Sequence, residues 1–169
     1  FASTQYLTVD KIDREVYASF IIHLFENYGK EIEREAVYEI LDWSNVHTFY
    51  TQSLCNRVFA MDEFPVTAEH VRMACSDLLE RNEPAFLQYR QLLTPIQWNF
   101  LIAVAKEREV RQISAQGFVG KYNIGTPANA RRLVKALVDK ELLLESVDKK
   151  GIVYRVYDVF LSRWLEREY

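Results

Sequence analysis

The sequence has 169 residues, of which 49% are hydrophobic and 27% are charged, and its formal net charge is −3. This length suits one large domain or two small ones, and the apolar content is sufficient for a packed core. Only five glycines and four prolines are present, which favours helices over a turn-rich β fold. No apolar run approaches the ~20 residues that a transmembrane helix needs, and the first residues lack the pattern of a signal peptide.

Charge is distributed unevenly along the chain. Residues 1–90 carry 8 Lys and Arg against 15 Asp and Glu, whereas residues 91–169 carry 13 against 9. An acidic half followed by a basic half predicts two domains, 1–91 and 92–169, with different partners. The alternative is that the two halves attract each other across an interface.

The first half has the periodicity of consecutive amphipathic helices. In the first helix, apolar residues recur every three or four positions and predict one inward stripe: Tyr17, Phe20, Ile21, Leu24, Phe25 and Tyr28. Asp13 is the expected N-cap of this helix, and Gly29 is the expected C-terminal stop. Similar patterns predict helices near residues 36–41 and 48–60, a fourth starting at Thr67 and a fifth starting at Pro84. Residues 1–91 are therefore expected to form an all-helical bundle.

The second half begins with a capping signature. Thr94 is the expected N-cap of a helix, Pro95 occupies its first position, and Gln97 is placed to complete a capping box. A short helix over 114–122 and a turn over 123–126 follow.

Two strands and two further helices complete the predicted order. A helix over 127–140 precedes two apolar strands, 142–147 and 152–157, which are joined by residues 148–151. Asp158 is the expected N-cap of a last helix. Helix, helix–turn–helix and β-hairpin, in that order, predict a winged-helix domain over 92–169 in a mainly α protein. Such a domain is a binding module for DNA or for a protein.

The helix over 127–140 would be the recognition helix. In this position Asn129 is suited to pair with adenine and Arg132 with guanine, while Arg131 and Lys135 would contact phosphates. Three further cations lie on or beside the predicted hairpin, where they would contact the DNA backbone that flanks the site: Lys149, Lys150 and Arg155. Exposed cations on a surface helix are also common without any DNA, so contact with a protein and a purely structural role stay open.

The sequence contains no complete catalytic or metal site. It lacks a glycine-rich phosphate loop, and His23, His47 and His70 are not at metal-ligand spacing. Cys55 and Cys75 form no CxxC pair and are expected to be reduced, which predicts a cytoplasmic location. We therefore expect the chain itself to be non-catalytic and to need no cofactor.

Several short motifs resemble one family. Residues 7–30, the run His-Thr-Phe-Tyr-Thr-Gln at 47–52, the Leu-Thr-Pro-Ile-Gln at 93–97 and the Tyr-Arg-Val-Tyr-Asp at 154–158 occur in a fixed order. Together they resemble the helical lid and winged helix at the C-terminal end of archaeal-type P-loop ATPases of the AAA+/STAND group. Thr48 departs from the family pattern, which has proline there.

The resemblance implies that the chain is a lid and winged-helix segment of a larger ATP-binding protein. Its partner would be an N-terminal ATPase core, with ATP and Mg²⁺ bound by the parent protein rather than by these residues. His47, Tyr50 and Gln52 would then lie near the nucleotide, and the lid would couple nucleotide state to binding of DNA or protein. The alternatives are a stand-alone transcription regulator with a helical dimerisation domain, and a pure protein-interaction module.

Overall fold

The computed structural model describes residues 12–169 and is mainly helical. Its elements follow one another in this order: α1 (Arg14–Asn27), α2 (Arg34–Trp43), α3 (Thr48–Phe59), α4 (Ala68–Leu92), α5 (Pro95–Glu107), α6 (Gln116–Lys121), α7 (Pro127–Val138), β1 (Leu143–Asp148), β2 (Gly151–Val156) and α8 (Val159–Glu168). Residue contacts divide the chain into two units, Phe1–Ser76 and Asp77–Tyr169. The predicted domain boundary after residue 91 lies in the last turn of α4 and stays a prediction.

In the first unit, α2 packs against both α1 and α3. Asp13 caps α1 by accepting hydrogen bonds from two backbone N–H groups, and Gly29 ends the helix region with a φ of +69°. A left-handed residue at this position is favourable only for glycine, because it has no Cβ. The predicted cap and stop of the first helix are therefore confirmed.

The inward stripe predicted for α1 is only half correct. Tyr17, Ile21 and Phe25 are buried, but Phe20 and Leu24 are exposed. Both lie beside the buried face, since Phe20 lines a groove with Thr48 and Gln52 of α3 and Leu24 lines another with Cys55. Apolar residues thus cover a wider part of α1 than its buried face, and periodicity alone does not show which of them are covered.

The prediction that a new helix starts at Pro84 is wrong. Pro84 lies inside α4, which continues without a break to Leu92. Proline removes one backbone hydrogen bond from a helix interior, but Pro84 and the residue four positions earlier, Glu80, are both exposed, so water can reach the freed carbonyl. Buried residues keep helical spacing up to Phe86, so α4 continues as one helix through the proline.

The second unit is built around α5, which packs on α7, β2 and α8. Both halves of the predicted capping box are present: Gln97 N–H donates to Thr94 Oγ1 at 3.4 Å, and Thr94 N–H donates to Gln97 Oε1 at 3.0 Å. The strands β1 and β2 form an antiparallel hairpin in which Leu143 pairs with Val156 and Asp148 with Gly151. The predicted order of helices and hairpin is confirmed, so the fold is a helical region followed by a winged helix.

Candidate nucleic-acid interface

The helix α7, predicted as the recognition helix, is fixed by its N-terminus and by one apolar face. Thr126 Oγ1 accepts a hydrogen bond from Asn129 N–H at 3.2 Å, and Pro127 occupies the first helical position. The apolar face is buried against the rest of the unit: Ala130, Leu133, Val134 and Leu137. This burial settles which side of α7 is left facing outward.

Three cations project from the outward face of α7. Arg131, Arg132 and Lys135 are all exposed. Within residues 12–169, none of them forms an ion pair with a carboxylate; Arg132 donates instead to the amide oxygen of Asn129 at 2.8 Å. The structure therefore brings these predicted contact residues together on one accessible surface.

Asn129 lies at the edge of this surface and is half-buried. Its Nδ2 donates to the carbonyl oxygen of Ile124 at 2.8 Å, and its Oδ1 accepts from Arg132. Ile124 belongs to the turn before α7, so this amide connects the turn to the recognition helix.

The tip of the hairpin carries the two predicted lysines. Asp148 Oδ1 accepts from the Lys150 N–H at 2.8 Å, and Gly151 has a φ of +108°, which a residue with a Cβ rarely adopts. Lys149 and Lys150 are exposed, and neither is paired with a carboxylate of residues 12–169. A well-defined turn thus fixes the backbone that carries both lysines at the tip.

Arg155 occupies a different environment from these lysines. It donates to Glu109 at 2.7 Å, Glu109 also pairs with Arg111 at 3.3 Å, and Arg111 pairs with Asp148 at 2.6 Å. The four side chains form an alternating ladder of cations and carboxylates beside the hairpin. Sequence reasoning named Arg155 but missed the other three, because Glu109 and Arg155 are 46 positions apart.

The ladder shifts the titration of its carboxylates. The hydrogen bond from Arg111 and a second from the Lys150 backbone hold the pKa of Asp148 well below its usual value. A hydrogen bond from Arg155 lowers the pKa of Glu109 in the same way. Both carboxylates are therefore charged at neutral pH, and the charge of Arg155 is already partly neutralised inside the protein.

A cleft of about 400 Å³ lies between α7 and the hairpin. Arg131 lines it from the helix, while Ile152 and Tyr154 line it from β2. Burial and a hydrogen bond with Glu145 raise the pKa of Tyr154 to about 12, so its hydroxyl is neutral at physiological pH. The cleft opens beside the outward cations and is part of the same surface.

The three residues predicted near a nucleotide do not converge. His47 precedes α3 and is exposed, and its ring lies 4.9 Å from the ring of Tyr50. Tyr50 is buried at 9% exposure, whereas Gln52 is exposed and lines a shallow groove beside Phe20 of α1. The structure brings His47 and Tyr50 together and places Gln52 elsewhere.

The outward face of α1 forms an apolar surface that sequence reasoning did not identify. Four residues at successive i, i+4 positions are exposed, and we refer to them as the α1 stripe: Val16 (64%), Phe20 (57%), Leu24 (41%) and Tyr28 (70%). Exposed apolar residues grouped in this way are typical of a surface that binds a partner. The sequence indicates this surface by a series of apolar residues at i, i+4 spacing that begins at Val16, next to the series that begins at Tyr17.

Within residues 12–169, no three His, Cys, Asp or Glu side chains lie close enough to hold a metal ion. Burial raises the pKa of the Cys55 thiol to about 12, so this cysteine is not an activated nucleophile. None of the helices described is both long and apolar enough to cross a membrane.

Comparison with known proteins bears on the second unit. No curated protein shows significant similarity to the sequence. Residues 84–167 match the model of a family described as a probable winged helix domain. This match covers the last part of α4, the helix–turn–helix, the hairpin and α8. Residues 84–167 thus form a winged helix domain, a fold that points to binding of DNA or protein.

Proposed function

We propose that the winged helix binds duplex DNA, with α7 in the major groove and the hairpin tip against the flanking backbone. One observation carries the proposal: within residues 12–169, the cations of α7 and of the hairpin tip are exposed and have no carboxylate partner, whereas most other cations of the same unit have one. The paired cations are Arg81, Arg108, Arg111, Lys121, Arg155, Arg163 and Arg167.

Unpaired cations grouped on one surface have a physical consequence. Exposed ion pairs contribute little and partly cancel the field of the cation, whereas an unpaired group attracts phosphates at full strength. Arg131 and Lys135 on the helix and Lys149 and Lys150 at the tip would each replace a condensed counterion on DNA. The hairpin is exposed and has a tight turn, so it is suited to contact the phosphate backbone of the DNA. Such phosphate contacts position a recognition helix in the groove.

Salt dependence of duplex binding tests this proposal. We expect the logarithm of the affinity to fall linearly with the logarithm of salt concentration, with a slope of about −0.9 per phosphate contacted. The variants Arg131→Ala and Lys135→Ala should each reduce the magnitude of that slope. Arg108→Ala is the matched control, because Arg108 is exposed but paired with Glu166. Absence of binding at low salt would refute the proposal.

For the first unit, we propose docking to an ATPase core, as the family resemblance implies. The α1 stripe supports this idea, because it is an apolar face that needs a partner. In this arrangement ATP and Mg²⁺ would bind to the core, and nucleotide-dependent movement of the core would alter presentation of the winged helix. Residues 1–169 alone would then have negligible affinity for ATP, so tight ATP binding by this chain contradicts the proposal.

Substitutions in the α1 stripe distinguish this role from the regulator alternative. In a longer protein carrying the core, Phe20→Glu should abolish any effect of ATP on DNA affinity, while Met73→Glu should not. Met73 is a suitable control because it is equally exposed, at 60%, on α4. If residues 1–169 instead form a dimer that Phe20→Glu dissociates, the stripe serves dimerisation and the regulator alternative replaces the ATPase proposal.

A further inference from the structure

The Asn129 amide connects an outward arginine to the buried turn of the helix–turn–helix. Asn129 Nδ2 donates to the carbonyl of Ile124, whose side chain is only 2% exposed, and Asn129 Oδ1 accepts from Arg132 Nη2. Both hydrogen bonds measure 2.8 Å. The guanidinium group is therefore restrained on one side by a chain of contacts that starts at the buried turn.

The same contacts limit what Asn129 can do on DNA. Recognition of adenine by asparagine uses the amide oxygen and the amide nitrogen together, directed at one base edge. In this protein the two atoms are directed at different intramolecular partners. These bonds already use one of the two Nδ2 hydrogens and one of the two Oδ1 lone pairs. Asn129 therefore has less free capacity for a base than an unbonded amide, and it is better suited to position its neighbour.

Arg132 keeps more free donors than Asn129 does. A guanidinium has five N–H donors, and the bond to Asn129 uses one of them. The remaining donors include a pair suited to guanine O6 and N7, the commonest specific contact in the major groove. Arg132 also lies within the first two turns of α7, the part of a recognition helix that contacts base edges.

We propose that Arg132 determines specificity for a guanine and that Asn129 is its positioning residue. The inference rests on the proposed binding of α7 to duplex DNA. Because the guanidinium is oriented before DNA arrives, less side-chain entropy is lost when the two hydrogen bonds to guanine form. Lys135, on the same face but without such a support, would contribute charge and no base preference.

The test uses residues 1–169 and a pool of duplexes with a randomised central segment. Selection should yield a site with one guanine whose replacement weakens binding roughly ten- to a hundredfold. Arg132→Lys keeps the charge but loses the planar fork, so it should remove most of this preference while retaining low-salt affinity for mixed-sequence DNA. Asn129→Ala should reduce the same preference about tenfold. Lys135→Ala should weaken binding to all duplexes alike.

Two controls separate positioning from a general loss of structure. Thr126→Ala removes the N-cap of α7 without touching the Arg132 contact, so it should lower thermal stability and leave the guanine preference intact. In the Arg132→Ala background, Asn129→Ala should have no further effect on the preference, because the two act through one contact.

The experiment distinguishes failure of the guanine-specificity inference from failure of DNA binding itself. If the chain binds duplexes in a salt-dependent way but no selected guanine responds to Arg132→Lys, the inference is wrong and the proposed function stands. If Thr126→Ala relaxes the preference as much as Asn129→Ala does, Asn129 has no positioning role. If no duplex is bound at low salt, the proposed function fails and this inference fails with it.

Discussion

Asp148 shows how one exposed carboxylate organises the hairpin tip. It accepts from the Lys150 backbone within the turn, and it pairs with Arg111, 37 positions earlier in the chain. Both contacts favour the charged form, which is why its pKa is lowered. The carboxylate therefore connects the local turn to a distant part of the winged helix.

A titration prediction follows for Asp148. Because its pKa in the folded protein is lowered, its stabilising effect is complete above the ordinary pKa of about 4 and is lost as the pH falls through the lowered value. In ¹³C NMR titrations, Asp148 should titrate well below an ordinary aspartate. Arg111→Gln should return it towards the usual range, whereas Arg131→Gln, which lacks contact with Asp148, should not. An unchanged titration in Arg111→Gln would show that the ion pair does not form in solution.

The two faces of α7 have different expected roles. The buried face stabilises the fold, and the exposed face carries the cations proposed to contact DNA. Leu137 is fully buried, while Lys135 is exposed without a carboxylate partner in the described structure. Truncating a buried leucine removes apolar contacts and leaves a cavity, whereas truncating an exposed lysine removes only charge. The two substitutions should therefore affect different measurements.

Chemical denaturation and DNA binding can check this separation. Leu137→Ala should lower the free energy of unfolding by about 2–5 kcal/mol. Lys135→Ala should change that free energy by less than about 0.5 kcal/mol but weaken binding to duplex DNA. A large loss of stability in Lys135→Ala would mean that this lysine has a structural partner in solution.

For the whole molecule, the total charge is a poor guide to the proposed function. The chain has a formal net charge of −3, which by itself would repel DNA. Phosphate attraction depends on the local field within about a Debye length, roughly 10 Å at 0.1 M salt. The proposed DNA binding would therefore depend on the cations of α7 and the hairpin tip more than on the charge total.

Variants with equal change in total charge test this view. Lys149→Gln combined with Lys150→Gln should reduce the magnitude of the salt slope by about 1.8, at ~0.9 per phosphate contact. Arg81→Gln combined with Arg108→Gln also removes two positive charges, but from cations that are paired with Asp77 and Glu166. This second pair should leave the slope unchanged. Equal effects from both pairs would show that total charge dominates.

Elements whose causes are local could be predicted from the residues alone. The caps at Asp13, Thr94 and Asp158 and the stop at Gly29 depend on residues a few positions apart. Each follows from hydrogen bonds and periodicity within one helix or turn. The order of these elements was sufficient to predict the winged helix.

Tertiary structure decided which predicted features are covered and which are paired. It left Phe20 and Leu24 exposed, although the α1 pattern predicted burial, and it engaged Arg155 with Glu109. It also carried α4 through Pro84, because later buried residues such as Phe86 keep the helix in register. These outcomes depend on neighbours that are distant in the chain, and the periodicity of a single segment contains no information about such neighbours.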